Sequence, residues 1–303
     1  MWRWIGIAFI VLGVAAGGAY WWLMLESGAP GNAYTIDMRQ VRRLAQSMPT
    51  DKVDSIRVEH VAPFSYPGNI VLAGEGWSPV PLEVFAYKVM FASGASALID
   101  TGLTPRGAQE MGMGIDRQSV QRVRGAIKFA SLIVVTHEHG DHIGGLLAFP
   151  FLHAEMQSGR VKLNPEQLAN LGRFNPDYDR ASFAGYEPFR YAEYRAVAPG
   201  IVLIRAPGHT PGSQMVFVQR SDGQEFLFTG DVAWTMRNID EVRERARFAT
   251  WLLLGEDRQA VLAELAALNT LQKSEPGIHI VPGHDIATVA GLEKSGLLVT
   301  GFR

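Results

Sequence analysis

The chain has 303 residues, 47% of them hydrophobic, and no cysteine. This length allows one large core or two modest ones, and the missing cysteines exclude disulfides, cysteine-ligated zinc and thiol nucleophiles. The formal net charge of -2 provides no basic excess for binding nucleic acid, so no nucleic-acid partner is expected.

The N-terminal segment is apolar enough to cross a membrane. No charged residue lies between Trp4 and Leu25, and a transmembrane helix needs about 20 residues. Aromatic residues lie near both ends, as at membrane interfaces: Trp2, Trp4, Tyr20, Trp21 and Trp22. A cleaved signal peptide and a buried core helix are the alternatives. The apolar character continues past Ala15–Ala19, which favours an uncleaved single-pass anchor over residues 1–27, with the rest of the chain periplasmic or extracellular.

Two further regions follow the anchor. Residues 28–52 are predicted to form a linker and a short helix over Thr35–Met48, which Pro49 ends. Residues 53–303 are predicted to form one domain.

Strand and helix patterns continue through that domain. Val84–Phe91 and Ala97–Asp100 are predicted strands, and Met215–Gln219 and Glu225–Thr229 are predicted to form a hairpin around the turn Asp222-Gly223. Leucines at helical spacing predict a helix over Asp257–Lys273.

Four segments share one pattern, in which an apolar strand is followed by a short turn and then by His or Asp. The residues that follow the strands are the run His137-Glu138-His139-Gly140-Asp141-His142, then His209, Asp231 and His284. Strands of one sheet present their C-terminal ends along one edge, so these side chains can converge. A glycine directly precedes His209, Asp231 and His284, which lets the backbone turn sharply and approach an ion.

The spacing inside the first run predicts two metal sites. His137 and His139 point the same way in an extended loop and can hold one ion. Asp141 and His142 follow a glycine and can hold a second. Imidazole nitrogen and carboxylate oxygen suit zinc, although manganese or iron would accept the same donors.

These motifs resemble those of the metallo-β-lactamase superfamily, over roughly Val53 to Ala290. The motifs are Asp100-Thr101-Gly102, Thr136–Gly145 (THEHGDHIGG), Pro207–Gly212 (PGHTPG), Thr229-Gly230-Asp231 and Pro282-Gly283-His284-Asp285. The resemblance implies an α/β fold, an αββα sandwich with a site for two Zn²⁺ ions at one edge. By matching position, the first metal would be held by His137, His139 and His209, the second by Asp141, His142 and His284, and Asp231 would bridge them.

Two residues narrow the resemblance. His139 stands where flavodiiron oxygen reductases have Glu, which argues against redox chemistry. Class B β-lactamases have Cys, Ser or another residue at the position of Asp231, so this bridging Asp favours the glyoxalase II, lactonase and phosphodiesterase side. The best-known N-acyl homoserine lactonases carry a Tyr shortly after this Asp, whereas Val232, Ala233 and Trp234 follow here.

The resemblance implies a hydrolase in which a hydroxide shared by two cations cleaves a small ester, lactone, thioester or amide. Asp141 would orient this nucleophile and pass its proton to the leaving group. Asp100 would accept a hydrogen bond from a ligand imidazole. The alternatives are a phosphodiesterase and a non-hydrolytic metal-binding membrane protein.

Other residues allow weaker expectations. Trp234 and Arg237 closely follow Asp231 and are candidates for binding the small-molecule substrate, and the aromatic stretch Phe174–Tyr194 is a candidate lid. Glu138 is expected to face solvent. Arg243, Arg245 and Arg247 alternate with Glu241 and Glu244, which predicts a solvated helix face.

Overall fold

Two β-sheets pack face to face, and helices cover their outer sides, in the computed structural model, which describes residues 2–48, 50–175 and 178–302. Among these residues the strands are β1 (Val53–Pro67), β2 (Pro79–Phe91), β3 (Ser96–Ile99), β4 (Leu132–Val134), β5 (Val161–Lys162), β6 (Tyr194–Ala198), β7 (Ile201–Arg205), β8 (Gln214–Gln219), β9 (Glu225–Gly230), β10 (Ile278–Pro282) and β11 (Val299–Thr300). The first sheet has the order β11-β1-β2-β3-β4-β5, and the second has the order β10-β9-β8-β7-β6.

Alternating side chains along the strands build three apolar layers. On β2, Phe85, Tyr87 and Val89 point between the sheets, whereas Val84 and Ala86 face the helices. The strand period of two residues produces this division. The expected αββα sandwich is therefore confirmed.

The helices lie mainly outside the sheets. They are α1 (Trp2–Tyr20), α2 (Met38–Ala45), α3 (Gly68–Val71), α4 (Pro105–Met111), α5 (Arg117–Phe129), α6 (Gly140–Leu147), α7 (Leu152–Gln157), α8 (Pro165–Phe174), α9 (Met236–Asp240), α10 (Arg258–Ser274) and α11 (Ile286–Lys294). α5 packs Val123 and Ile127 on the first sheet, and α10 packs Leu265 and Leu268 on the second.

Local sequence signals fix several element boundaries. The hairpin of β8 and β9 confirms the predicted Asp-Gly turn. The predicted helix over Asp257–Lys273 is α10, which begins one residue later because the Asp257 side chain accepts hydrogen bonds from the backbone at its start. The short predicted helix is α2, capped by Asp37, and Pro49 lies outside the described residues.

The N-terminal helix projects from the sandwich with its described side chains exposed. A π-helical turn, Trp21–Leu25, continues it. By length and apolar composition, Trp2–Leu25 passes for a membrane span or for a signal sequence. The predicted linker after it lies against the domain, because Gly28 N donates to Glu244 Oε1 at 2.9 Å and Gly31 N to Gln259 O at 3.0 Å.

The predicted solvated helix face over residues 241–247 is wrong. The backbone is non-helical from Arg243 to Ala246, and Glu244 and Arg245 are buried. Both side chains have partners: Glu244 accepts from Gly28 N, and Arg245 forms an ion pair with Glu256. Alternating charges predict solvation only where the chain is helical and peripheral.

Candidate metal centre

The strand ends bring the predicted ligands together at one edge of the sandwich. β3 and β4 are parallel and lead to Asp100 and His137. β9 and β10 are also parallel and lead to Asp231 and His284. His209 follows β7. In the first run, His139 lies directly before α6, and Asp141 and His142 lie in its first turn.

The predicted ligands form two clusters of buried donors. The first contains His137, His139, His209 and Asp231, and the second contains Asp141, His142 and His284. Within each cluster, one donor atom from every residue lies within 4.8 Å of the others. The side chains that were grouped from the sequence therefore lie close enough together in the fold to bind the same ion.

Asp231 presents a different oxygen to each cluster. Its Oδ2 lies 3.5 Å from His209 Nε2 and 3.8 Å from His137 Nε2. Its Oδ1 lies 3.2 Å from His142 Nε2 and 3.1 Å from His284 Nε2. This geometry suits a carboxylate that bridges two cations.

The outer ring nitrogens of three imidazoles have fixed partners. His142 Nδ1 lies 2.9 Å from Asp100 Oδ2, and His209 Nδ1 lies 2.5 Å from Glu256 Oε1. His284 Nδ1 lies 2.9 Å from the carbonyl oxygen of Glu83. All three partners accept hydrogen bonds, so each Nδ1 carries a proton and each Nε2 is the ring atom left to bind a cation.

The inner atoms fit a pair of divalent cations. Among the described residues, no hydrogen-bond partner satisfies His137 Nε2, His142 Nε2 or Asp231 Oδ1, although all three are buried. Buried polar atoms normally have partners. Burial lowers the pKa of His137 and His139 well below the usual value, which keeps them neutral. Neutral imidazoles and carboxylates are the donors that zinc accepts.

The charge of the centre also calls for cations. Burial opposes ionisation of Asp231, but positive charge on His284 and His142 outweighs it and holds the pKa of Asp231 well below its usual value. Divalent cations bound at the two Nε2 atoms would take the place of that charge. Asp100 and Asp141 are buried beside it. Buried carboxylates without compensating positive charge are costly. Metal ions would supply that charge.

Sequence reasoning missed two buried carboxylates around the centre. Glu256 forms an ion pair with Arg245 and accepts from His209, which lies 47 residues before it. Glu138 was predicted to face solvent, and that prediction is wrong. It is fully buried and accepts from Thr210 Oγ1 at 2.8 Å, which braces the loop that carries His209. No local spacing signals these partners.

An apolar cavity of about 280 Å³ opens onto the centre. Its apolar lining comes from Phe64, Tyr66, Ile70, Met111, Met113, Phe174, Trp234, Leu253 and Leu254. Trp234 thus lies where it was predicted, and its Nε1 donates to Asp231 Oδ2 at 2.8 Å.

The structure differs from two of the expectations for the substrate site. Arg237 lies outside this cavity, because its guanidinium is held by Glu75 at 2.5 Å and by Glu241 at 2.7 Å. Of the aromatic stretch predicted as a lid, Phe174 reaches the cavity and contacts His139, with ring centroids 4.3 Å apart. Phe183 and Tyr186 instead pack into the outer core.

The sequence is similar to that of known proteins. A model of the metallo-beta-lactamase superfamily matches residues 84–284. An N-acyl homoserine lactonase from Bacillus thuringiensis is 30% identical over 156 residues, 51% of this chain and 55% of the relative. One from Bacillus cereus is 27% identical over 162 residues, 52% of this chain and 57% of the relative. The chain spans about half the length of these curated relatives.

Solved structures show the same fold. An N-acyl homoserine lactone hydrolase with N-hexanoyl-L-homoserine bound at its metal centre superposes with a TM-score of 0.61, at 20% identity, over 79% of this chain and 96% of that chain. AidC, a dizinc quorum-quenching lactonase, superposes with a TM-score of 0.53, at 13% identity, over 78% of this chain and 89% of that chain.

Replacing Asp100 by Asn tests its hold on His142. Asp100 has φ of 60°, which Asn tolerates, so the backbone is kept. The amide cannot serve both Thr136 and His142 as an acceptor. We expect metal affinity to fall by about 10–100-fold, measured by chelator competition. Asp51→Asn is the matched control, because Asp51 also has φ of 60° but lies in a distant turn beside Ser93. Equal affinities in both variants would contradict this role.

Replacing Gly283 by Ala tests the close packing beside Asp231. A Cβ at Gly283 would lie 2.5 Å from Asp231 Oδ1, closer than real contacts allow. We expect a metal content well below that of the unsubstituted chain, by elemental analysis after dialysis. Gly277→Ala is the control at the other end of β10, where an added Cβ meets nothing within 4 Å. Full metal occupancy in Gly283→Ala would refute the geometric argument.

Proposed function

The chain belongs to the metallo-β-lactamase superfamily, and on that premise we propose that it is a metal-dependent hydrolase that opens a small lactone carrying an apolar acyl chain. The observation that carries this proposal is the pair of donor clusters joined by the two oxygens of Asp231, at the base of an apolar cavity.

The proposed cofactor is a pair of Zn²⁺ ions. One would be held by His137, His139 and His209, the other by Asp141, His142 and His284, with Asp231 between them. Such ions supply Lewis acidity, which polarises a carbonyl oxygen and lowers the pKa of a water molecule. The imidazole tautomers that Asp100, Glu256 and the Glu83 carbonyl fix would keep the ligand lone pairs directed inward.

Asp141 is the proposed proton carrier. Its Oδ2 lies 3.6 Å from the Nε2 atoms of both His142 and His284, and the residue lines the cavity. A carboxylate in that position can orient the attacking water, accept its proton and deliver it to the leaving alkoxide.

Tyr66 is the proposed hydrogen-bond donor to the substrate. It lines the cavity and stacks on Trp234, with centroids 5.8 Å apart. No partner for its hydroxyl lies within the part of the chain that the structure describes. Burial raises the pKa of Tyr66, with Asp141 and Asp231 adding to the effect, so the phenol stays protonated. It can therefore donate to the carbonyl oxygen of a lactone.

Cavity composition and relatives both support an acyl lactone. The aromatic, Met and Leu side chains in the cavity wall offer an apolar surface to an acyl chain. The curated relatives from Bacillus thuringiensis and Bacillus cereus are N-acyl homoserine lactonases.

We also propose that residues 1–27 anchor the enzyme in a membrane, with the catalytic domain over residues 53–303 outside the cytoplasm. The span Trp2–Leu25 is apolar and only 6% buried within its most apolar window, which favours lipid rather than protein as its environment. Residues 28–52 would then connect the anchor to the domain while lying against it.

Substrate and metal measurements test the function together. We expect two metal ions per chain and chelator-sensitive hydrolysis of acyl homoserine lactones, faster than that of thioester, β-lactam or phosphodiester substrates. Asp231→Ala should abolish turnover yet leave thermal unfolding nearly unchanged, because a large apolar core rather than the metal holds the fold. Faster phosphodiester cleavage, or wild-type turnover in Asp231→Ala, would overturn the assignment.

Replacing Tyr66 by Phe tests the proposed donor. We expect kcat on the lactone to fall by up to about 10²-fold, since a donor to the developing oxyanion acts mainly in the transition state. Metal content should not change. Tyr87→Phe is the control, because the Tyr87 hydroxyl also has no partner among the described residues but lies between the sheets. An unchanged kcat in Tyr66→Phe would exclude this role.

A further inference from the structure

The cavity of the metal centre opens beside the end of the N-terminal helix. Leu253, Leu254 and Ile70 form part of its wall. Ile70 belongs to α3, which contacts the turn Trp21–Leu25, and Gly74 N just after α3 donates to Met24 O at 2.9 Å. The entrance to the cavity therefore lies next to the C-terminal end of the N-terminal helix.

An apolar helical turn, Ala249–Leu254, lies at this entrance and exposes large side chains to solvent. Trp251 is 66% exposed, Leu252 58% and Leu253 62%. Three adjacent large apolar residues at this exposure are unusual on a soluble surface and mark an interaction site. Leu253 also lines the cavity, so one turn forms both the exposed patch and the wall of the site.

Tryptophans join this patch to the N-terminal helix. Trp251 meets Trp22 edge to face, with ring centroids 6.4 Å apart. On another side, Trp77 is 60% exposed and its Nε1 donates to Tyr20 Oη at 3.0 Å. Tryptophan and tyrosine concentrate at the level of lipid headgroups, where an apolar ring and a polar edge are both satisfied.

Ion pairs fix the helix end against the patch. Glu26, directly after the helical turn, pairs with Arg247 at 2.5 Å and with Arg258 at 3.2 Å. The Arg247 guanidinium also lies over the Trp22 ring, 4.5 Å from its centroid. These contacts fix the C-terminal end of the N-terminal helix relative to Ala249–Leu254.

We propose that Ala249–Leu254 and Trp77 enter the lipid–water interface together with the end of the N-terminal helix, so that the site takes its amphiphilic substrate directly from the bilayer. This inference rests on the proposed function and on the proposed anchor. The bilayer is the occupant that the surface fits, because the patch is continuous with a span of membrane length. An acyl chain dissolved in the bilayer would enter along Leu253 and Ile70 and place its polar head at the metal centre.

The absence of cysteine permits a direct test in the full chain. Leu252→Cys and Phe129→Cys each introduce a single thiol for a polarity-sensitive fluorophore. Phe129 is the matched control: it is 76% exposed but lies at the end of α5 that precedes β4, opposite the metal centre. The labelled proteins are reconstituted into phosphatidylcholine–phosphatidylglycerol vesicles, with and without doxyl-labelled acyl chains.

We expect the label at Leu252 to shift its emission to shorter wavelength and to be quenched by the doxyl lipids, while the label at Phe129 does neither. Equal behaviour of the two labels would overturn the proposal. A full chain that does not float with the vesicles would overturn it as well, since no span would then bring the patch to lipid.

A kinetic comparison separates this proposal from the proposed function. Leu252→Ser should slow hydrolysis of a long-chain acyl lactone dissolved in vesicles by about tenfold, in line with the loss of one buried leucine from the interface. It should leave hydrolysis of a water-soluble short-chain lactone unchanged. Equal effects on both substrates would refute uptake from the bilayer. If no lactone is hydrolysed, the proposed function fails, and the fluorescence result still decides whether the patch enters the membrane.

Discussion

The direction of the imidazole lone pairs is the constraint on which the site depends. Three acceptors from different parts of the fold, on Asp100, Glu256 and the Glu83 main chain, take the outer N–H groups of three histidines. The Nε2 atoms of His142 and His284 then lie 3.2 Å and 3.1 Å from Asp231 Oδ1, so a proton or a metal ion has to separate each nitrogen from the carboxylate. Buried carboxylates without compensating positive charge are unfavourable, so the electrostatics of the centre call for cations although the apolar core holds the fold.

Much of this centre was predictable because its signal is local. A buried strand followed by a turn and a ligand recurs four times, and parallel strands necessarily end at one edge. Of the outer partners, Asp100 was predicted from its motif. Glu256 and the Glu83 carbonyl were not predictable, because they arise from long-range packing: Glu83 lies 201 residues from His284 in the sequence. The burial of Arg245 and Glu138 follows from the same packing. Arg237 shows the converse, since proximity to Asp231 in sequence did not bring its side chain to the site.

The candidate substrate donor, Tyr66, comes from a different part of the chain than the motif that follows Asp231. Val232, Ala233 and Trp234 follow Asp231, and none of them offers a hydroxyl. The cavity nevertheless contains a phenol, because β1 is long enough to carry Tyr66 to the stacked face of Trp234. A sequence motif shows whether a hydroxyl donor lies at one position of the chain. Any strand that borders the cavity can supply the same hydroxyl.

The turn Ala249–Leu254 contributes to the cavity wall and also contacts the N-terminal helix. A helical turn directs successive side chains outward in different directions, so Leu253 and Leu254 face the cavity while Trp251 and Leu252 face outward. Glu26 and Arg247 fasten the N-terminal helix next to this turn. A movement of the turn that widened the cavity would therefore also alter the contact of Trp251 with Trp22. The geometry makes the cavity width and the contact with the N-terminal helix dependent on the same six residues.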